Sequence, residues 1–439
     1  MGGKYKPYPK YKASGIEWLG DVPEHWDVIS IKRIVNIING STPKSDTESY
    51  WEGDIVWVTP SDLSQIENKY INSSKRRITQ SGFYSCGTSL VPENSIILST
   101  RAPIGSLAIN KTILCTNQGC KSLVLKRESI SLFFYYLLLI STEQLNLLGR
   151  GSTFLELSSE DLGSFSVPFP SFTEQQQIAD FLDREVGKIE VLIAKQERLV
   201  ELLTEKRQAV ISHAVTKGLN PNTPMKPSAI DWLGDIPEHW DVISIKRIVN
   251  IINGSTPKSD TESYWEGDIV WVTPSDLSQV ENKYINSSKR TITQLGFYSC
   301  GTSLVPENSI ILSTRAPIGS LAINKTILCT NQGCKSLVLK RESISLFFYY
   351  LLLISTEQLN LLGRGSTFLE LSSEDLGSFS VPFPSSTEQQ QIAEFLDQET
   401  QKIDSLIQKS KHMVMLLKER KTALISAAVT GKIDVRNQN

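Results

Sequence analysis

The chain has 439 residues, which at about 100–200 residues per domain means two to four domains. Forty per cent of the residues are apolar and 21% charged, enough for a packed core and against global disorder. The 45 Lys and Arg against 47 Asp and Glu leave a net charge of −2, so bulk basicity cannot hold nucleic acid, and six cysteines are too few for a disulfide scaffold.

The N-terminal stretch Met1–Lys12 is polar and basic without an apolar h-region, so it is not a signal peptide. Short β-branched runs follow, DIVWVT (Asp54–Thr59), SIILST (Ser95–Thr100) and SLVLK (Ser122–Lys126), each bounded by polar turns and each of strand length. The longest apolar run, Ile130 to Ile140, falls short of the roughly 20 residues a membrane span needs. Leu132 to Leu148 is therefore expected as a buried helix, and the protein as soluble and cytoplasmic. Thr173 to Val215 carries Ile178, Leu182, Val186, Ile189, Ile193, Val200, Leu203 and Val210 at helical steps, with no proline. Thr173 and Gln176 have capping-box spacing. A continuous helix of that length spans roughly 65 Å.

The same series then returns. DVPEHWDVISIKRIVNIINGSTPKSD at Asp21 recurs from Asp235, an offset of 235 − 21 = 214. From Pro23 to Ser171 the copies differ only at Ile66/Val280, Arg77/Thr291 and Ser81/Leu295. That period is too long for a solenoid and marks a duplicated domain. Across Thr173–Lys217 against Thr387–Gly431 there are 19 differences in 45 positions, so the helices have diverged while the heads have not.

The fold class expected is α+β. Two near-identical mixed heads are joined by two long antiparallel helices in a coiled coil, with pseudo-two-fold symmetry. The boundaries read as head one 1–172, helix one 173–217, linker and head two 218–386, helix two 387–431 and tail 432–439.

Several ordered pieces, each present twice, resemble the specificity subunit of type I DNA restriction–modification enzymes. They are SGIEWLGDVPEHWDVISIKR (Ser14–Arg33), YWEGDIVWVTPSDL (Tyr50–Leu63), ILSTRAPIGSLAI (Ile97–Ile109), TNQGCKSL (Thr116–Leu123) and VPFPSFTEQQQIADFLD (Val167–Asp183). The resemblance implies two target-recognition domains reading a bipartite site on double-stranded DNA. It implies helices that act as a ruler and dock two modification subunits, which carry S-adenosylmethionine and methylate adenine N6. A restriction/translocase subunit would join that assembly. Family members commonly carry unlike heads. Like heads here imply like half-sites in inverted orientation, a near-palindromic target.

Base edges are read by Arg, Lys, Asn and Gln, and phosphates by Lys, Arg and small hydroxyls. The candidate DNA contacts in head one are Ser41, Thr42, Lys44, Ser61, Lys75, Arg76, Arg101, Arg150 and Ser152. In head two they are Ser255, Thr256, Lys258, Ser275, Lys289, Arg290, Arg315, Arg364 and Ser366. For Lys75 and Arg76 the competing reading is a solvated surface, for Arg101 a structural ion pair, and for Ser61 a plain turn with Asp62 as a cap. Arg77 is Thr291 in the second head, so its charge is dispensable to a shared readout. Trp18, Trp26, Trp51 and Trp57 read as core, and the cysteines as buried small hydrophobes.

No Walker loop, zinc-ligand spacing or amino-methyltransferase motif is present, so neither catalysis nor a cofactor or metal is expected in this chain. A protein–protein scaffold without a DNA role, and a hydrolase with an unrecognised site, are the competing functions.

Overall fold

The computed structural model describes residues 5–66, 68–101, 103–126, 129–151, 155–280, 282–315, 317–340, 343–365 and 369–436. The chain divides into two compact units that cut across both long helices. One joins Met1–Glu197 with His412–Asn439, and the other is Arg198–Lys411. Each unit therefore holds one head, the first part of the helix leaving it and the last part of the other helix.

In the first head the chain runs β1 (Tyr11–Ala13), β2 (Asp21–Pro23), β3 (Asp27–Ser30), α1 (Ile31–Ile34), β4 (Val35–Asn39), β5 (Trp51–Val58) and α2 (Pro60–Ser64). It continues β6 (Tyr70–Ile71), β7 (Arg77–Ile78), α3 (Gln80–Ser85), β8 (Ile96–Thr100), β9 (Ile104–Asn110), β10 (Cys115–Thr116) and β11 (Cys120–Leu125). It closes with α4 (Ser131–Ile140), α5 (Thr142–Leu148), α6 (Ser159–Ser164) and β12 (Ser166–Phe169). A five-stranded sheet has the order β4-β11-β8-β9-β6, antiparallel except for the parallel pair β6/β9. A three-stranded sheet, β10-β5-β7, lies beside it, with β10 parallel to β5. The second head repeats this topology strand for strand. The β-branched runs at 54–59, 95–100 and 122–126 thus form β5, β8 and β11.

The apolar stretch Leu132–Leu148 is two helices rather than one. Buried Ser141 turns its hydroxyl back to the Leu137 carbonyl (2.8 Å) and leaves helical geometry at φ −92°, ψ 7°. Such back-bonding competes with the helix ladder. The main core of the unit lies between the five-stranded sheet, α4 and the long helix, around Phe133, Phe134, Leu137, Ile178, Leu182 and Val186.

The first long helix spans Phe172–Lys217 and the second Ser386–Val429. The hydroxyl accepting from the first turn is Ser171, from Glu174 N–H at 3.4 Å, two residues before Thr173. The second helix stops at Val429 instead of running to residue 431. The Lys432 N–H folds back onto the Ala427 carbonyl (2.8 Å) and the Gly431 N–H onto Ala428 (3.3 Å), which closes its last turn.

Fully buried Gln175 ties the head to its helix. Its Oε1 accepts from the Ile130 N–H (3.0 Å), and its Nε2 donates to the Pro170 carbonyl (2.9 Å). Gln389 repeats both bonds with Ile344 and Pro384.

Within each unit the two helix segments run antiparallel. In the first, Lys421 pairs with Glu190 (2.6 Å) and Lys418 with Glu197 (3.1 Å). In the second, Arg207 holds Asp404 with two bonds, at 2.8 and 3.3 Å. The apolar stripe is buried at Ile178, Leu182, Val186, Ile189 and Ile193, and half-buried at Val200, Leu203 and Val210. No helix among the described residues is long and apolar enough to cross a membrane.

Candidate nucleic-acid interface

Strand direction gathers the polar loops of a head at one end of its sheets. Strands β4, β8 and β5 finish there, and β11 begins there. The loop 117–119 between β10 and β11 binds the others together. Ser41 N–H donates to the Thr116 carbonyl (2.9 Å), Asn117 N–H to Val58 (2.9 Å) and Thr100 N–H to Gly119 (2.8 Å). The 40–46 loop comes so close that a Cβ on Gly40 would lie 2.0 Å from the Asn117 carbonyl oxygen, so only glycine fits.

Most sequence-predicted contacts of head one lie on or beside this end. The Ser41 and Lys44 carbonyls accept from the indole N–H groups of Trp57 (3.0 Å) and Trp51 (3.2 Å), which leaves the Lys44 side chain exposed. Thr42 donates its hydroxyl to Gln118 Oε1. Ser61 is exposed on α2. Thr59 caps that helix, accepting the Asp62 N–H, while the Asp62 carboxylate accepts the Thr59 N–H (2.8 Å). The other Asp62 oxygen takes the Lys75 N–H (2.8 Å) and fixes the 72–77 loop against α2. Arg76 is exposed and stacks 3.4 Å above the Trp51 ring, 5.9 Å from Trp57. The Trp51 ring thus holds a cation on a residue that stays exposed to solvent.

Arg101 pairs with Glu156 (2.7 Å) and Arg150 with Asp161 (2.7 Å). The ion-pair reading of Arg101 is thus present, and both guanidinium groups stay substantially exposed, at 41% and 80%. Head two repeats these positions. Arg290 lies 3.5 Å above Trp265, Arg315 meets Glu370 at 3.0 Å and Arg364 meets Asp375 at 2.6 Å. Ser255, Thr256, Lys258 and Lys289 occupy the equivalent loops and Ser275 the equivalent short helix Pro274–Ser278, with Thr256 donating to Gln332. Ser152 and Ser366 lie outside the described residues.

Three groups at this end escaped sequence reasoning. Asn39 Oδ1 accepts from Lys121 Nζ (3.1 Å) and from the Ser159 hydroxyl (2.7 Å). Lys121 is buried, and desolvation lowers its pKa, with Glu156 acting upward and Arg101 downward. A lysine inside the apolar strand CKSLVL was the available signal. Gln118, at the tip of the 117–119 loop, had none.

Trp26, Trp51 and Trp57 are buried, as expected of core residues, while Trp18 is half-buried and stacks on Phe165 at 5.5 Å. Cys115 and Cys120 are buried, but Cys86 is only half-buried, at the exposed end of α3. Burial pushes the Cys115 thiol up to about 12. No cluster of three or more His, Cys, Asp or Glu suited to a metal occurs among the described residues.

The type I restriction modification DNA specificity domain matches this chain twice, over residues 23–201 and 237–413. The chain belongs to that family. Its specificity domains are similar over 434 residues to the type I restriction enzyme MjaIX specificity subunit of Methanocaldococcus jannaschii, at 28% identity and 95% of each chain. Over 185 residues, 40% of this chain and 42% of the relative, there is 25% identity to the EcoR124I/EcoR124II specificity subunit of Escherichia coli. In fold, the specificity-domain chain resembles one from a solved structure of type I R-M complex assembly and conformational transition. That match has a TM-score of 0.74 and 18% identity, and covers 93% of this chain and 98% of the other. The HsdS subunit from Thermoanaerobacter tengcongensis follows at 0.56 and 17%, covering 94% and 98%.

Proposed function

We propose that this chain is the non-catalytic DNA-recognition subunit of a type I restriction–modification complex. Each head reads one half of a bipartite, near-palindromic duplex target, and the long helices dock two modification subunits. Those partners bring S-adenosylmethionine and methylate adenine N6, and a restriction/translocase subunit joins the assembled methyltransferase.

One observation carries the reading. The same polar loop face, with stacked, ion-paired and free cations, is built twice by heads that differ at three of 149 aligned positions. Like faces read like sequences, and target symmetry follows protein symmetry. With a net charge of −2 the footprint is local, and partner subunits supply much of the phosphate contact.

Docking draws support from the helices. Val191, Leu192, Met413, Met415 and Leu416 are exposed apolar residues in the first unit, as are Leu199, Leu202, Phe395 and Leu406 in the second. Exposed apolar surface of this kind marks protein contacts.

Mapping N6-methyladenine in DNA from cells with the active complex tests the reading. Two inverted copies of one half-site around a fixed gap are expected, and two unrelated half-sites would count against it. A gel shift of the complex at several salt concentrations separates DNA recognition from a bare scaffold role, because only DNA binding loses affinity steeply with salt. Cleavage of DNA by the purified chain with Mg²⁺ would overturn the non-catalytic assignment.

A further inference from the structure

We propose that Gln118, and Gln332 in the second head, reads an adenine edge in each half-site. This rests on the DNA-recognition reading above and adds to it a residue and a base.

Gln118 sits at the tip of the braced loop between β10 and β11. Around it the backbone is engaged on every side. The Thr116 carbonyl takes the Ser41 N–H and the Thr88 hydroxyl, each at 2.9 Å. Asn117 donates to Val58, and its side chain accepts the Gly119 N–H at 3.0 Å. The Gly119 carbonyl takes the Thr100 N–H, and a Cβ on Gly119 would meet the Pro60 ring at 2.9 Å. The loop is thus wedged between the 40–46 loop, α2 and the end of β8. The Gln118 side chain projects from it into solvent.

One partner orients that side chain. The Thr42 hydroxyl donates to Oε1, and Nε2 has no partner among the described residues. Oε1 keeps a second lone pair, and Nε2 keeps its two N–H donors. An adenine presents the matching pair in the major groove, an N6 amino donor beside an N7 acceptor, and bidentate contact by Gln is its characteristic recognition. A long side chain already held at one atom on a rigid loop loses less freedom on binding.

The surroundings suit a base reader. Arg101 follows Thr100 directly, and the Arg76 stack is coupled to the same loops through the Trp57 indole bond to Ser41. Both cations are thus tied through these bonds to the loop that carries Gln118, as groups for the backbone of the same DNA. Head two reproduces the arrangement. Asn331 donates to Val272 and Ser255 to Thr330, each at 2.9 Å, Thr314 donates to Gly333 at 2.8 Å, and Thr256 donates to Gln332.

The near identity of the heads gives a sharp test. Q118A is made in the first head alone, Gln332 is kept, and the full chain is assembled with its modification subunits before methylated sites are mapped. One A·T position in one half-site is expected to relax, with a roughly ten- to hundredfold loss of discrimination, while the other half-site is unchanged. Q118E is expected to move preference at that position toward C·G, because a carboxylate accepts from cytosine N4. T42V is expected to relax the same position to a smaller degree. A motif unaltered by Q118A, or a change confined to a G·C position, overturns the assignment and leaves the recognition function standing. A wild-type assembly that gives no bipartite motif removes both.

Discussion

The two heads are chemically one object, yet the units that contain them are closed in different ways. In the second unit the helix ending at Lys217 leads through a continuous linker into the strand Met225–Pro227. In the first, the corresponding strand β1 follows residues 5–10, and the returning helix ends in a tail laid against them. The Asp434 N–H donates to the Lys6 carbonyl (2.8 Å) and the Tyr11 hydroxyl to the Gly431 carbonyl (3.0 Å). Arg436 lies 4.9 Å above the ring of buried Tyr8, whose hydroxyl donates to Glu174 (2.8 Å).

The linker offers exposed Asn222 and Met225 where Tyr8 and Tyr11 stand. Phe181 is buried with Tyr5 edge-on at 5.3 Å, whereas its counterpart Phe395 is exposed. A peptide connection in one unit is thus replaced in the other by aromatic packing and polar bonds. Identical heads do not make identical stabilities.

The largest expected break in this comparison is Tyr8→Ala. It removes a buried ring and leaves a buried carboxylate short of a donor, at a cost of about 3–4 kcal/mol to the first unit. Asn222→Ala at the equivalent exposed position is expected to stay within about 0.5 kcal/mol. Hydrogen exchange resolved by unit should show protection lost around β2, β3 and residues 424–430 only; loss shared equally by both units would refute the asymmetry.

A smaller effect of opposite location comes from Ala229, which adopts φ 60° where the first unit has Gly15 at φ 75°. Left-handed backbone costs a residue with a Cβ about 1–2 kcal/mol, part of which glycine gives back as unfolded-state entropy. Ala229→Gly should therefore stabilise the second unit by about 0.5–1 kcal/mol, seen as a raised unfolding midpoint, and Gly15→Ala should weaken the first.

The smallest effect is a response to acid. Hydrogen bonds from Arg436 hold the Asp434 carboxyl below its usual range. A carboxyl depressed in the folded state adds stability above its unfolded pKa and loses it as pH falls through the folded value. The tail contact should therefore loosen below about pH 4, and Arg436→Ala should abolish that component. Glu388 in the second unit is also depressed, because bonds from His239, Trp240 and Ser385 outweigh its desolvation, so some acid sensitivity remains there in the variant.

What could be read from the sequence follows from range. The strands β5, β8 and β11 and both long helices are written in local periodicity, and the 214-residue repeat fixed the duplication without reference to packing. Contacts between distant segments were hidden. Ser141 breaks an apolar run through its own hydroxyl bond, and Ser171 rather than Thr173 takes the first-turn N–H. The partners of Arg101 and Lys121 are Glu156 and Asn39, 55 and 82 residues away. Gln118 became visible only when the loops around it were seen wedged together.

The buried Gln175 bonds carry a mechanical consequence. They make the neck between head and helix a splice and not a swivel, so a head turns only when its helix turns. Seven residues added to a helix advance it by about 10 Å and leave its face nearly unrotated. The same distance along B-form DNA is about three base pairs, over which the groove winds roughly 100°. A head spliced to a helix lengthened by one heptad would therefore keep its rotation about that helix, while a DNA groove followed over the same length would have wound through more than a quarter turn.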